Sequence, residues 1–462
     1  MSDNVREMYA RARMAFETVE FWPQEKVDEM VAAVGWVWQK DEMAREVAKI
    51  AVEESGMGVC EHKVAKQKKK TRGAMWDLRG VKTCGVVEED KARGLVKIAK
   101  PIGVIANVTP CTNPTATPSF LGLNALKTRN AMIVSPHPRT KRCTFRTIEW
   151  ARGALNKVGA PEDLLQCIEN PTHENTAELM ACCDFAIATG GDALIKVVYR
   201  AGKPAHTVGA GNVCAIIDRT ADPKEVAPKI FESKTFDNAT SCSSENSVAI
   251  EESIFDEMIE ALKAEGGYLC STEEREKLRR ALWPDGKRIN REIVAASAVS
   301  IAEQAGIPVP ENTKILMVFG EKIGREDRFS GEKLSVVLTI WKWNDFSEMV
   351  DRLARILEFS GKGHSCAIHT KNEEQIRELS MRTRVGRVNV NMPNCMVNSG
   401  SWYNGQPFTT TIGCGTWAGN ITSDNINWRH MLNYTWVSKP VAEYVPTDED
   451  LFGDYLKKWG RD

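Results

Sequence analysis

The chain has 462 residues, enough for about three domains at roughly 150 residues each. Hydrophobic residues at 42% and charged residues at 27% exclude a disordered or fibrous chain. With 61 lysines and arginines against 62 acidic residues, the net charge of -1 gives no field that would gather nucleic acid or an anionic membrane.

No apolar run reaches the roughly 18 residues that a membrane-spanning helix needs. Residues 1–13 are polar and charged, without a signal-peptide core. The thirteen cysteines include no C-x-x-C pair and the seven histidines are scattered, which argues against a zinc site and against a disulfide framework. A reducing, cytoplasmic location with free thiols fits this composition, and no metal is expected.

Val27, Met30, Val31 and Val34 repeat at i, i+3, i+4 and i+7 and predict a helix over 24–52. Residues 61–72 are basic and read as a solvated helix face; without interleaved aromatics they do not read as a nucleic-acid patch. Residues 85–100 predict a hairpin around a charged turn. From Pro101 strands alternate with helices: strands over 102–108, 131–134, 184–188 and 213–218, helices over 116–127, 141–156, 192–201 and 223–233. This is the rhythm of a doubly wound parallel sheet. It resumes after Cys242, with strands over 246–250, 314–318, 335–340, 364–369 and 385–390, and helices over 251–264, 288–305, 344–359 and 373–382. Two tandem doubly wound α/β domains are therefore expected. Residues 402–440, rich in Gly, Asn, Thr and Trp, predict an ordered loop region. The charged tail 441–462 carries a short apolar set suited to docking on a partner subunit.

Two glycine-rich turns, ATGG (188–191) and VGAGN (208–212), are neither a G-x-G-x-x-G fingerprint nor a P-loop. ATGG lies between a strand and a helix and offers backbone donors to a pyrophosphate, though a plain tight turn reads equally well. Cys242 precedes an apolar strand in a run of small polar residues, a setting that exposes a thiol and supplies donors that lower its pKa. Cys182, Cys183, Cys366 and Cys395 are weaker candidates for a nucleophile.

The segment KTFDNATSCSSENSV (234–248) resembles the active-site segment of the CoA-acylating aldehyde dehydrogenases. The resemblance continues, in the family's order, through ESGMGVCEHKV (54–64), PIGVIANVTPCTNPTATP (101–118), LKTRNAMIVSPHPRTK (126–141), ATGGDALIKVVYRAGKPAHTVGAGN (188–212), GEKLSVVL (331–338), GKGHSCAIH (361–369) and TIGCGTWAGNITSDNI (411–426). It implies an aldehyde dehydrogenase-like fold. Residues 1–84 and 101–237 would form the dinucleotide-binding domain and 238–428 the catalytic domain. Residues 85–100 and 429–462 would form an oligomerisation hairpin and C-terminal arm.

The resemblance also implies a reaction. The Cys242 thiolate adds to an aldehyde, Asn113 and the Cys242 N–H hold the oxyanion, and hydride transfer to NAD or NADP leaves an acyl-thioester. Thr109, Pro110, Ser135, His137, Arg139, Thr189, Gly190, Gly191, Val208, Gly209, Glu332 and Leu334 fall in the family's cofactor-binding segments. Among them Glu332 matches the carboxylate on the nicotinamide ribose. Hydrolytic members carry a water-activating Glu where this chain has Val208, so coenzyme A is the expected acceptor. His364 has two readings, proton acceptor for the CoA thiol or a structural histidine at a strand start. Polar neighbours of the nucleophile, Thr240, Ser241 and Ser243, together with Trp402, Tyr403 and Arg429, suggest a small polar or anionic aldehyde such as sulfoacetaldehyde. Acetaldehyde, propionaldehyde and succinate semialdehyde stay open, as do the choice of NAD or NADP and the physiological direction.

A hydrolytic dehydrogenase, an acyl-phosphate reductase and a non-catalytic scaffold are the competing readings. A homodimer or homotetramer is implied. So is a separate alcohol- or aldehyde-processing enzyme, because no metal-dependent alcohol dehydrogenase half is expected. Recruitment to a bacterial microcompartment through the tail is compatible with catalysis.

Overall fold

The computed structural model describes residues 4–461. Among them the chain opens with four helices, α1 (Val5–Val19), α2 (Gln24–Gln39), α3 (Asp41–Ser55) and α4 (Cys60–Leu78). The single helix expected over 24–52 is two, because Lys40 is extended (φ -62°, ψ 140°) and breaks the ladder between α2 and α3. The hairpin β1 (Gly85–Asp90) and β2 (Leu95–Pro101) is antiparallel, as expected.

The first parallel sheet contains β3 (Val104–Val108), β4 (Ala131–Ser135), β5 (Leu165–Cys167), β6 (Phe185–Thr189) and β7 (Ala205–Val208), in the order β5-β4-β3-β6-β7. Its crossovers include α5 (Ala116–Lys127), α6 (Lys141–Lys157), α7 (His173–Cys182) and α8 (Asp192–Arg200). Every residue of α5 is buried, and β3 and β4 are buried on both faces, as in a parallel sheet covered by helices on both sides. This sheet and α1 to α3 share one core.

The second parallel sheet contains β8 (Val213–Ile217), β9 (Glu245–Glu251), β10 (Gly267–Leu269), β11 (Ile315–Phe319), β12 (Val337–Trp343), β13 (Cys366–His369) and β14 (Val388–Val390). Its order is β10-β11-β12-β9-β8-β13-β14. Alternate residues of β8 feed opposite faces: Ala215 and Ile217 one core, Cys214 and Ile216 the other. The expected change of domain at 237/238 therefore comes too late. The chain leaves the first sheet at Val208 and enters the second at Val213, paired with β9 and β13. An all-apolar strand carries no local mark of the sheet it joins.

The helix expected over 288–305 is shorter, Ala298–Ala305. Ala295 takes a left-handed φ of 61°, its N–H donating to Leu334 O and its carbonyl accepting from Asn238. The loop region expected over 402–440 contains β15 (Leu432–Ser438), which pairs with β2 and completes a three-stranded sheet away from both cores. No helix among the described residues is long and apolar enough to cross a membrane.

Candidate active site

The helix α9 (Pro223–Thr235) ends in a turn where Asp237, Asn238 and Ala239 all take left-handed φ of 52–59°. L side chains rarely adopt that conformation, at a cost of about 1–3 kcal/mol per residue. Buried anchors hold it. Asp237 accepts from Val59 N–H (2.8 Å), Lys63 Nζ (3.2 Å), Lys66 Nζ (2.8 Å) and Thr240 Oγ1 (2.8 Å). Burial works against this carboxylate, but Lys66 and Lys63 more than offset it, and its pKa falls to about 2. Three residues after Ala239, Cys242 sits at the entry to β9, in the middle of the second sheet.

Cys242 Sγ lies 3.2 Å from His364 Nε2, and His364 Nδ1 lies 2.9 Å from Ser365 Oγ. Burial, reinforced by the charge of Glu332, pushes the thiol up to about 12. Burial and the nearby Arg387 push His364 down to about 3. The sequence expectation of a lowered thiol pKa is thus reversed, because desolvation outweighs the local donors. The resting pair is a neutral thiol beside a neutral imidazole. Both ring nitrogens are satisfied if Nδ1–H donates to Ser365 and Nε2 accepts from the thiol.

Asn113 lines the same pocket as Cys242. Its Oδ1 is buried without a hydrogen-bond partner; an oxyanion would take its Nδ2–H, because the carboxamide oxygen only accepts. Gly211 comes so close to the nucleophile that a Cβ there would lie 2.0 Å from Cys242 O. Its N–H donates to Glu332 Oε1 (3.0 Å), which links the Cys242 loop to the segment carrying Glu332 and Leu334.

Ten of the twelve cofactor residues expected from the sequence gather at the carboxyl ends of the first sheet; Glu332 and Leu334 lie before β12 of the second. Thr109 and Pro110 follow β3; Ser135 ends β4, with His137 and Arg139 beyond it; Thr189 ends β6; Val208 ends β7. Ligands of open α/β sheets bind in that crevice. A dinucleotide fits these residues on two observations. Thr189 Oγ1 is buried with no partner, and among the described residues no side chain caps the N-terminus of α8 behind Gly191. A Cβ on Gly191 or Gly209 would meet open space.

The Aldehyde dehydrogenase family model matches residues 1–270. The acylating sulfoacetaldehyde dehydrogenase of Bilophila wadsworthia is 43% identical over 461 residues, covering 99% of both chains. A sulfoacetaldehyde dehydrogenase of an Acholeplasma species is 44% identical over 452 residues, covering 97% of this chain and 93% of its own. The crystal structure of an acetylating aldehyde dehydrogenase from Geobacillus thermoglucosidasius superposes with a TM-score of 0.92 at 34% identity, covering 96% of this chain and 98% of that one. The chain belongs to the aldehyde dehydrogenase family. The acylating branch expected from the sequence is the one named in these relatives.

In this aldehyde dehydrogenase the basic stretch is not a solvated face. Lys63, Gln67, Lys70 and Thr71 of α4 are buried, and Lys66, Lys69 and Lys70 line the pocket with Cys242. The signal was present in the sequence: positions 63, 66 and 70 stand at i, i+3 and i+7, on one helix face. Of the substrate residues expected, Ser241 and Ser243 line the pocket, and Thr240 is buried against Asp237. Trp402, Tyr403 and Arg429 do not line it. Trp402 packs on Phe408 and Arg429 on Trp428 in a separate surface cleft, and Tyr403 is exposed. The local polarity of 391–407 gave no sign of which side chains turn toward Cys242. Cys395 lines the pocket opposite the nucleophile, whereas Cys366 is buried in β13.

Proposed function

We propose that this enzyme converts sulfoacetaldehyde and coenzyme A, with NAD or NADP, reversibly to sulfoacetyl-CoA. The observation that carries the reading is the 3.2 Å contact of Cys242 with His364, with Asn113 lining the same pocket as Cys242. The names of the relatives support the substrate.

As Cys242 Sγ adds to the carbonyl carbon, His364 Nε2 takes the thiol proton. Asn113 and the Cys242 N–H receive the developing oxyanion. Thr189, Gly190, Gly209 and Glu332 would hold the dinucleotide, which would supply the hydride acceptor for the thiohemiacetal carbon. His364 releases its proton to solvent and is ready to take another from the CoA thiol, which attacks the Cys242 thioester. The Cys242 sulfur leaves and regains that proton from His364. Val208, buried and apolar at the end of β7, offers no carboxylate to activate water at its position.

The test is NAD(P)H formation from sulfoacetaldehyde with and without CoA, beside Cys242→Ala. Turnover should require both CoA and Cys242. Sustained turnover without CoA would overturn the acylating reading.

We place the assembly contacts on the β1-β2-β15 sheet and the C-terminal helix Asp448–Trp459, which buries no residue and exposes Leu451, Phe452, Tyr455 and Trp459. A homodimer or homotetramer in the cytoplasm, working beside a separate enzyme that supplies or consumes the aldehyde, fits this exposure. Removing 447–462 should lower the mass measured by light scattering.

A further inference from the structure

The lysines of α4 divide into two sets. Lys63 and Lys66 share Asp237, and Lys68 pairs with Asp41. Lys69 and Lys70 have no carboxylate within 4.0 Å among the described residues. Lys69 Nζ donates to Met396 O (2.7 Å), and Lys70 Nζ donates to Ser399 O (2.8 Å) and Ser399 Oγ (2.6 Å). An ammonium group carries three donors. By this count Lys69 keeps two and Lys70 one, on the wall of the pocket that holds Cys242.

A buried cation without a close counter-ion is costly; Lys70 is buried and Lys69 half-buried, and the acidic charges that act on them, Asp77 on Lys70 and Glu232 on Lys69, lie beyond salt-bridge distance. Burial pushes both lysines below the usual ammonium range, and an arriving anion would reverse that shift. The carbonyls of Met396 and Ser399 orient the two ammonium groups but carry no charge to neutralise them.

We propose that Lys69 and Lys70 clamp the anionic head group of the aldehyde, a sulfonate or a carboxylate, while its carbonyl meets Cys242. The clamp rests on the acylating reading and names the residues that would select the substrate class; they replace Arg429, which lies in another cleft.

The test compares wild type with Lys69→Met, Lys70→Met and Lys70→Arg. Sulfoacetaldehyde and succinate semialdehyde serve as charged substrates and propionaldehyde as the neutral one. The ratio of kcat/KM for charged over neutral aldehyde should fall on the order of 30-fold in each Met variant, carried mainly by KM, and recover in Lys70→Arg. Comparison of the two charged substrates tells sulfonate from carboxylate. An unchanged ratio, or an equal loss with charged and neutral aldehydes, would overturn the clamp.

Ethanesulfonate, tested as a competitor against propionaldehyde, separates the two ideas. If it competes with wild type and loses on the order of 30-fold in Lys70→Met, the clamp stands even where sulfoacetaldehyde proves a poor substrate. If sulfoacetaldehyde is turned over with CoA but ethanesulfonate binds wild type and variants alike, the function stands and the clamp falls.

Discussion

Asp237→Asn is the most informative single change. The carboxylate joins α4 to the strained turn before the nucleophile. Its pKa of about 2, against an ordinary 3.8, corresponds to about 2 kcal/mol of folding stability. The folded pKa is depressed, so this stability is fully present above about pH 4 and is lost as pH falls through 2. Asparagine keeps the shape but replaces one acceptor with an amide donor facing Lys63 and Lys66. Lys63, only 5% exposed, then loses its counter-ion, and breaking a buried pair costs about 3–5 kcal/mol. The two figures describe one interaction and do not add, so a loss of about 3 kcal/mol is expected at pH 7. The three left-handed residues also lose their anchor, and a shift of about 1 Å in a reacting group costs roughly 100-fold in rate. Urea denaturation followed by tryptophan fluorescence, with kcat/KM measured in parallel, reads both effects. A variant that unfolds at the wild-type midpoint and keeps its kcat/KM would refute the anchoring role.

Three further outcomes are expected. With the Cys242 thiol near 12, its alkylation by iodoacetamide should keep rising from pH 7 to 10, and a plateau below pH 8 would contradict the neutral pair. Asn113→Ala should lower kcat by roughly 100- to 1000-fold without loss of folding by circular dichroism, the size of one lost oxyanion donor. Gly211→Ala should lower kcat/KM by about 100-fold, because its Cβ would displace the Cys242 backbone; steady-state kinetics on the folded variant decides it.

Much of the fold could be read along the chain. The helices expected over 116–127 and 373–382 appear with the same bounds; Asn372 caps the second, whereas the first is buried on every side and has no side-chain cap among the described residues. The α7 helix and the short strands β5 and β10 were missed, because three-residue strands carry too little pattern to stand out. In the candidate site, Cys242, Asn113 and Glu332 could be proposed from the sequence because each lies in a motif with its own local signature. Lys69 and Lys70 were not, because their meaning depends on Met396 and Ser399, more than 300 residues away.

By itself the sequence determined the alternation of strands and helices and the family, and it named Cys242 as the candidate nucleophile, all of which rest on short-range pattern. Only the tertiary structure decided which sheet β8 joins, which face of α4 is buried, and which polar residues reach Cys242. Those choices turn on contacts between distant segments, where burial reversed the expected pKa of the thiol and turned a run of apparently solvated lysines into a pocket wall.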